Sequence, residues 1–485
     1  MQSKTIFRRC LLILVIVPAY MFTQQYVALS TEATDEELLQ KALKVKPSDR
    51  QLAWQKMEYY AFIHFGPNTF LGMEWGDGTA DPVVFNPSEL DADQWVKVIK
   101  AAGMKGLILT AKHHDGFCLW PTGTTDYSVE QSPWRNGKGD LVREVADACR
   151  REGIKMGIYL SPWDRNHPTY GDSPAYNKVF ISQLTELLTN YGEIFEVWFD
   201  GANGEGPNGK VQQYDWNSYY SLVRRLQPNA VIAIMGPDVR WVGNEAGKGR
   251  DPEWSVLPIS VASQKSIAGN SQQEVTNGMF IPKNAKGDDL GSRHLLGGTN
   301  ALIWYPSEVD TSIRPGWFYH PEQDGKVKTP EVLENIYYNS VGMNSSLLLN
   351  IPPDKRGLIH ENDIKSLMKL KEHLDKTFSA NLADKIKYSG SKTKCTAIEF
   401  RMKCTVSFDR LLLQENIKNG QRVENFVLEI YKNGQWLQIA TGKTVGYKRI
   451  LRFPPTQAQR VRVRFTSYRA VPEILNAGIY LSHRN

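Results

Sequence analysis

Between residues 59 and 375 strand-like and helix-like patterns alternate, and no hairpin signal interrupts them. No other feature leaves the chain so little freedom. Strands that follow one another without tight turns need helical crossovers, and a crossover lays the next strand parallel to the last. Apolar runs mark strands at residues 59–66, 106–114, 155–163, 195–199, 230–236, 300–305 and 346–351. Amphipathic spacing marks helices at residues 91–102, 141–152, 176–191, 216–226, 331–341 and 363–375. From 238 to 289 regular patterning is lost, and long loops are expected there. Seven or eight strands in this order predict an α/β fold, a (β/α)8-like (TIM) barrel with some irregularity, over residues 31–378.

Beyond about residue 379 the period changes to two. Short alternating runs at residues 397–400, 405–408, 426–431, 435–439 and 460–465 predict a C-terminal all-β sandwich over residues 379–485. Asn433-Gly434 sits between two of the runs as a hairpin turn. The 485 residues are enough for both units.

The first residues have the layout of a secretory leader. Lys4, Arg8 and Arg9 precede an apolar stretch at residues 11–17, and the small residues Ala28 and Ser30 follow. The apolar stretch is too short for a membrane span. A signal peptide over residues 1–30, removed near residues 22–30, and an exported mature chain without a membrane span are expected. A net charge of +6 without Lys/Arg clusters past the leader argues against nucleic acid as a partner. The four cysteines after it, Cys118, Cys149, Cys395 and Cys404, lack metal-ligand spacing. Cys149 fits a helix core, while Cys395 and Cys404 could pair across neighbouring strands.

Chemistry collects at the C-terminal ends of parallel strands. Here those ends carry His64, His113-His114, Trp163 and Asp200, so the side chains should share one cleft. His113 and His114 are adjacent, and on a regular strand they would point to opposite faces, which weakens a metal reading. Neutral donors and acceptors, aromatic rings and a carboxylate suit a sugar. Glycoside hydrolysis needs two carboxyl groups, and Asp200 supplies one. The second must come from the segment after the fifth strand, where Asp238, Glu245, Asp251 and Glu253 are candidates. Glu245 lies between glycines near Trp241, and an apolar neighbour would raise its pKa as a general acid requires.

His64-Phe-Gly66, Glu74-Trp75, His113-His-Asp-Gly-Phe117, Trp120 and above all Val197-Trp-Phe-Asp-Gly201 resemble the α-L-fucosidases of glycoside hydrolase family 29. The resemblance runs from about residue 59 to 352. It implies an exo-acting, retaining mechanism with no metal and no cofactor, acting on fucosylated oligosaccharides or glycoconjugates. Asp200 would be the nucleophile and Glu245 the acid/base. His64, Glu74, Trp75, His113 and His114 would hydrogen-bond the fucose hydroxyls. Tyr159 and Trp198 would line the pocket, and Trp317, within Arg314-Pro-Gly-Trp-Phe318, would pack on the apolar side of the sugar. The Asn-Glu arrangement at Glu245 is similar to the branch that cleaves α-1,3/1,4-linked fucose. The C-terminal module is similar to galactose-binding, discoidin-like sandwiches. The alternatives are a fucosidase of broader or α-1,2 specificity, a hydrolase of a related sugar, or a non-catalytic glycan-binding barrel.

Overall fold

The computed structural model describes residues 26–30, 33–259, 273–276, 279–282, 287–297, 299 and 301–483. The leader expected at the N-terminus lies outside them as far as residue 25. Among the described residues, no helix is long and apolar enough to cross a membrane.

Eight strands form one parallel sheet among the described residues: β1 (Tyr59–Ile63), β2 (Gly106–Lys112), β3 (Lys155–Leu160), β4 (Ile194–Phe199), β5 (Val231–Ile234), β6 (Arg240–Trp241), β7 (Ser307–Ser312) and β8 (Ser346–Asn350). Their spatial order is β5-β4-β3-β2-β1-β8-β7-β6. The sheet curls into a nearly closed barrel. At the seam no ladder joins β5 to β6, and the backbone N–H groups of Asp238 and Val239 each reach the Ile232 carbonyl at 3.4 Å.

Crossover helices α1 (Ala92–Ala101), α2 (Leu141–Glu152), α3 (Ser173–Asn190), α4 (Trp216–Leu226) and α5 (Pro330–Ser340) cover the outside, and α6 (Glu361–Phe378) follows β8. The first four open on aspartates, Asp91, Asp140, Asp172 and Asp215, each accepting a backbone N–H three residues on. These carboxylates satisfy N–H groups that a helix start leaves unpaired.

Alternation along the strands sorts side chains into two shells. Ala61, Ile63, Leu107, Leu109, Ile158, Val197 and Phe199 face outward and pack with the helices. Tyr60, Phe62, Ile108, Tyr159, Trp198, Ala233 and Leu348 fill the barrel interior. A short helix ahead of β1, Asp49–Gln55, closes the barrel floor with Trp54, whose indole N–H donates to buried Glu196 at 2.9 Å. The same alternation puts Asp200 on the inner side, two residues beyond Trp198.

Two sequence expectations fail here. The run at 300–305 is not a barrel strand. Ala301–Trp304 pairs antiparallel with Tyr26–Ala28 and Val256–Pro258 in a separate three-stranded sheet. The barrel instead uses β6, two residues long, and β7, Ser-Glu-Val-Asp-Thr-Ser, which has no apolar run to announce it. β7 is nonetheless buried along its length, because Tyr60 and Trp198 donate to Glu308 and Trp241 donates to Asp310.

The C-terminal unit is an antiparallel sandwich of β9 (Lys385–Ser391), β10 (Lys394–Glu415), β11 (Val423–Lys432), β12 (Gln435–Lys443), β13 (Arg449–Tyr468) and β14 (Ile474–Tyr480). β10 and β13 pair over three stretches separated by two register breaks, which lets the pair bend from one layer into the other. Phe400, Phe408, Leu428, Val461 and Ile479 form its own core. Asn433 and Gly434, with φ of 52° and 83°, make the expected hairpin turn between β11 and β12. Cys395 and Cys404 lie on one strand, β10, and are free, the first buried and the second exposed, so they are not a cross-strand pair. Cys149 is buried on α2 as expected.

Candidate active site

A pocket of about 280 Å³ opens at the C-terminal end of the barrel. That is ample room for several waters or for a pyranose ring. Its walls include all ten residues singled out from the sequence: His64, Glu74, Trp75, His113, His114, Tyr159, Trp198, Asp200, Glu245 and Trp317.

Asp200 sits just past β4, with its side chain 21% exposed. Its Oδ1 accepts the Ala202 backbone N–H at 2.8 Å, and its Oδ2 accepts the Tyr159 hydroxyl at 3.0 Å. The tight turn that the Asp-Gly pair permits brings that N–H back onto the carboxylate. Tyr159 is stacked on Trp198, with ring centroids 5.3 Å apart, and Trp198 is pinned by its N–H to Glu308 at 2.7 Å. The nucleophile-like carboxylate is therefore held from β3, β4 and β7 together.

Burial drives the three histidines toward the neutral form. His64 is pushed down to about 3, burial outweighing the opposing effect of its hydrogen bond to Asn350. His113 is pushed well below its ordinary value by burial and then by His114 and His64. For His114 burial again dominates, although the charge of Asp200 works against it.

Hydrogen bonds also fix two tautomers. The Asn350 amide nitrogen donates to Ser312 Oγ at 2.9 Å and to the Trp317 carbonyl at 2.8 Å. Its oxygen therefore accepts from His64 Nδ1 at 2.8 Å, leaving Nε2 of His64 as an acceptor. Likewise Ser161 Oγ donates to the Trp163 carbonyl at 2.7 Å, so His114 Nδ1 donates to Ser161 at 2.8 Å. The His114 Nε2 lone pair is left 3.8 Å from Asp200 Oδ2. Neutral imidazoles with free acceptor nitrogens suit sugar hydroxyls as donors.

His113 and His114 both line the pocket, contrary to the alternation argument. β2 stops at Lys112, and its register with β3 slips between Thr110 and Lys112, so a regular strand does not continue through the pair. Their ring centroids are 4.2 Å apart. Lys112 itself turns outward into a buried cluster with Asp164 at 3.0 Å, Tyr176 at 2.9 Å and Gln183 at 2.9 Å. That anchor fixes where the two histidines begin.

Glu74 and Trp317 are brought in by loops. Glu74 Oε2 accepts the Trp317 backbone N–H at 2.7 Å, and its Oε1 contacts His320 Nε2 at 2.6 Å. The loop closes so tightly on Glu74 that a Cβ on Gly316 would lie 2.2 Å from Oε1. Trp75 packs edge-on against His114 and Trp163.

Of the four carboxylates after β5, three are committed elsewhere. Asp238 is buried in ion pairs with Arg50 and Arg224, Glu253 pairs with Arg240, and Asp251 with Arg449 at 3.1 Å. Glu245 alone of the four lines the pocket. The tryptophan against it is Trp317, whose indole N–H lies 3.3 Å from Oε2, whereas Trp241 donates to Asp310. Sequence reasoning missed Phe62, Asn203, Ile234, Trp241 and Asp310 as lining residues, whereas Trp163, placed in the shared cleft as a strand end, does line it.

A family model described as Alpha-L-fucosidase matches residues 26–377. The chain belongs to the alpha-L-fucosidase family. Alpha-L-fucosidase 1 of Arabidopsis thaliana is 42% identical over 469 residues, covering 90% of this chain and 87% of its own. A crystal structure of a putative alpha-L-fucosidase from Bacteroides ovatus is 50% identical, with a TM-score of 0.85 over 95% of this chain and 78% of that one. A Ruminococcus gnavus family 29 fucosidase in complex with fucose is 30% identical, with a TM-score of 0.76 over 95% and 99% of the two chains. The barrel, the sandwich and the family agree, and the pocket lies at the C-terminal face of the barrel, where barrel enzymes carry their active sites.

Proposed function

We propose that the chain is an exo-acting, retaining α-L-fucosidase in which Asp200 is the nucleophile and Glu245 the acid/base. The observation that carries this reading is the arrangement of Asp200. Its Oδ1 is tied to Ala202, its Oδ2 lies beside Tyr159 and His114, and of the candidate carboxylates after β5 it is Glu245 that lines the same pocket. In the first step Asp200 bonds to the anomeric carbon while the bond to the leaving oxygen breaks and Glu245 protonates that oxygen. In the second, Glu245 takes a proton from water, whose oxygen displaces Asp200. Two inversions return the original configuration. The Tyr159 hydroxyl strengthens its hold on Asp200 as the carboxylate regains charge in the second step.

His64, Glu74, Trp75, His113 and His114 hydrogen-bond the fucose hydroxyls in this reading, Tyr159 and Trp198 line the pocket, and Trp317 packs on the apolar side of the sugar. Support for α-1,3/1,4-linked substrates comes from the position of Glu245 in the Asn244-Glu245 loop. A panel of α-1,2, α-1,3, α-1,4 and α-1,6 fucosides tests it: release from the second and third is expected, and preferential release from the first contradicts it. For the acid, Glu245→Ala should lose about 10²–10⁴-fold on fucosides with poor leaving groups and far less on aryl fucosides. Equal loss on both would point to another acid.

The chain is further proposed to be exported. Its basic-then-apolar start supports this, and the use of Tyr26–Ala28 in a sheet supports cleavage ahead of Tyr26 rather than at residue 30. N-terminal sequencing of the protein from the cell envelope or medium should find a start before Tyr26. An intact Met1 would contradict it.

A further inference from the structure

The net charge of +6 reads as diffuse along the sequence, but strand alternation gathers part of it on one face of the sandwich. In β13 the core takes Val461, Val463 and Phe465, which turns Arg460, Arg462 and Arg464 outward at intervals of about 7 Å. On β10 beside it Ile398 and Phe400 face the core, and Arg401 stands directly opposite Arg460. Lys385 and Lys387 continue the row on β9, opposite Arg401 and Glu399. Glu399 and Glu429 lie among these cations and do not balance them. Each glutamate is shared by two arginines. Glu399 accepts from Arg401 at 2.8 Å and from Arg460 at 2.9 Å, and Glu429 from Arg462 at 2.7 Å and Arg464 at 3.1 Å. Three of these four bonds come from Nε, so terminal amino groups remain for a partner. Two aromatic rings complete the face. Arg460 stands over the ring of Tyr431, 4.4 Å from its centroid, and Arg462 over that of Trp436 at 4.2 Å. Stacking and the shared glutamates fix the guanidiniums in advance, while the four arginine side chains stay between 27% and 49% exposed.

We propose that this face of the sandwich binds anionic glycans, polymers that carry a carboxylate or sulfate group at intervals along a sugar chain. Guanidinium forks match either oxyanion with two parallel N–H donors. The half-open rings of Tyr431 and Trp436 take the apolar faces of the sugars between the charges. A nucleic acid strand, with a phosphate at every nucleotide, fits less well, because Glu399 and Glu429 stand within the row and repel closely spaced phosphates. An acidic glycan bound here keeps the barrel beside sugar chains. That consequence rests on the fucosidase reading, whereas the binding itself does not.

The test is the affinity of the purified protein at low salt for four polymers: hyaluronan, which carries carboxylates only, κ-carrageenan, which carries sulfates only, uncharged dextran, and oligo(dT). Binding to hyaluronan, to carrageenan or to both is expected, weakening as salt rises, and the choice between them assigns the oxyanion. Arg460→Gln with Arg464→Gln removes two forks yet leaves each glutamate one arginine, Arg401 or Arg462. That double variant and Trp436→Ala should each bind about 10-fold more weakly or worse, with kcat/KM on a small aryl fucoside unchanged. Lys100→Gln with Lys155→Gln takes the same charge from exposed positions on the barrel and should bind as the parent does. No binding to either acidic glycan, equal weakening in the two double variants, or dextran held as tightly would overturn the proposal. Tighter binding of oligo(dT) than of both glycans would overturn it in favour of a nucleic-acid surface.

Discussion

The catalytic case turns on how single side chains are held. Tyr159 is the clearest example, since its hydroxyl has one strong acceptor, Asp200 Oδ2 at 3.0 Å, and its ring is fixed by stacking on Trp198. Tyr159→Phe keeps the stack and deletes a hydrogen bond to a charged group, worth about 1.5–3 kcal/mol. Steady-state kinetics should show kcat reduced by roughly 10- to 100-fold, with KM little changed. At this scale the sequence was informative wherever a polar residue followed an apolar run. Asp200, His64 and the histidine pair all stand at such ends. Asp310 had no such marker. It occupies a strand whose inward residues are Glu308 and Asp310, and only their indole and phenol donors explain how such a strand is buried.

At the scale of elements, β2 shows how a local irregularity makes the site. A regular strand would have sent one histidine of the pair away from the pocket. The slip after Thr110 and the outward turn of Lys112 deliver both to it. Lys112 and Asp164 are both essentially buried, so removing one partner strands the other charge in the core. Lys112→Ala should therefore lower unfolding stability by about 3–5 kcal/mol, read as a shift in the denaturant midpoint, and should raise KM through displaced histidines. α1 and α2 were legible because burial on one face writes itself into the spacing, and β1 to β5 because burial on both faces leaves a continuous apolar run. β6 is too short to carry a period, and β7 carries polar residues on its buried face. Ala301–Trp304 has the composition of a core strand but satisfies it in a different sheet, a choice made by tertiary pairing that no local window contains.

For the whole molecule, the sandwich bears on the catalytic loop as well as on its own core. Gln421 accepts the Ser255 N–H at 2.8 Å, Arg449 pairs with Asp251, and the Tyr447 N–H donates to Asn344, which in turn donates to the Glu253 carbonyl. These contacts fasten residues 251–255, a few positions beyond Glu245. The buried histidines contribute to the pH response of the fold. The folded chain keeps His64 neutral down to about pH 3, whereas the unfolded chain takes up the proton near 6.5. In that window the unfolded state binds more protons, so stability falls as pH falls. The contribution of His64 is read by difference: between about pH 7 and pH 4 the guanidinium midpoint of the parent should fall relative to that of His64→Asn. Parallel slopes for the two proteins would remove His64 from the account. The central claim, that Asp200 is the nucleophile of a double displacement, is tested most directly with Asp200→Gly. The variant should lose about 10⁴-fold or more in kcat, and added azide should restore turnover of an activated α-fucoside with a β-fucosyl azide as product. Near-normal activity without azide, or an α-fucosyl azide product, would contradict it.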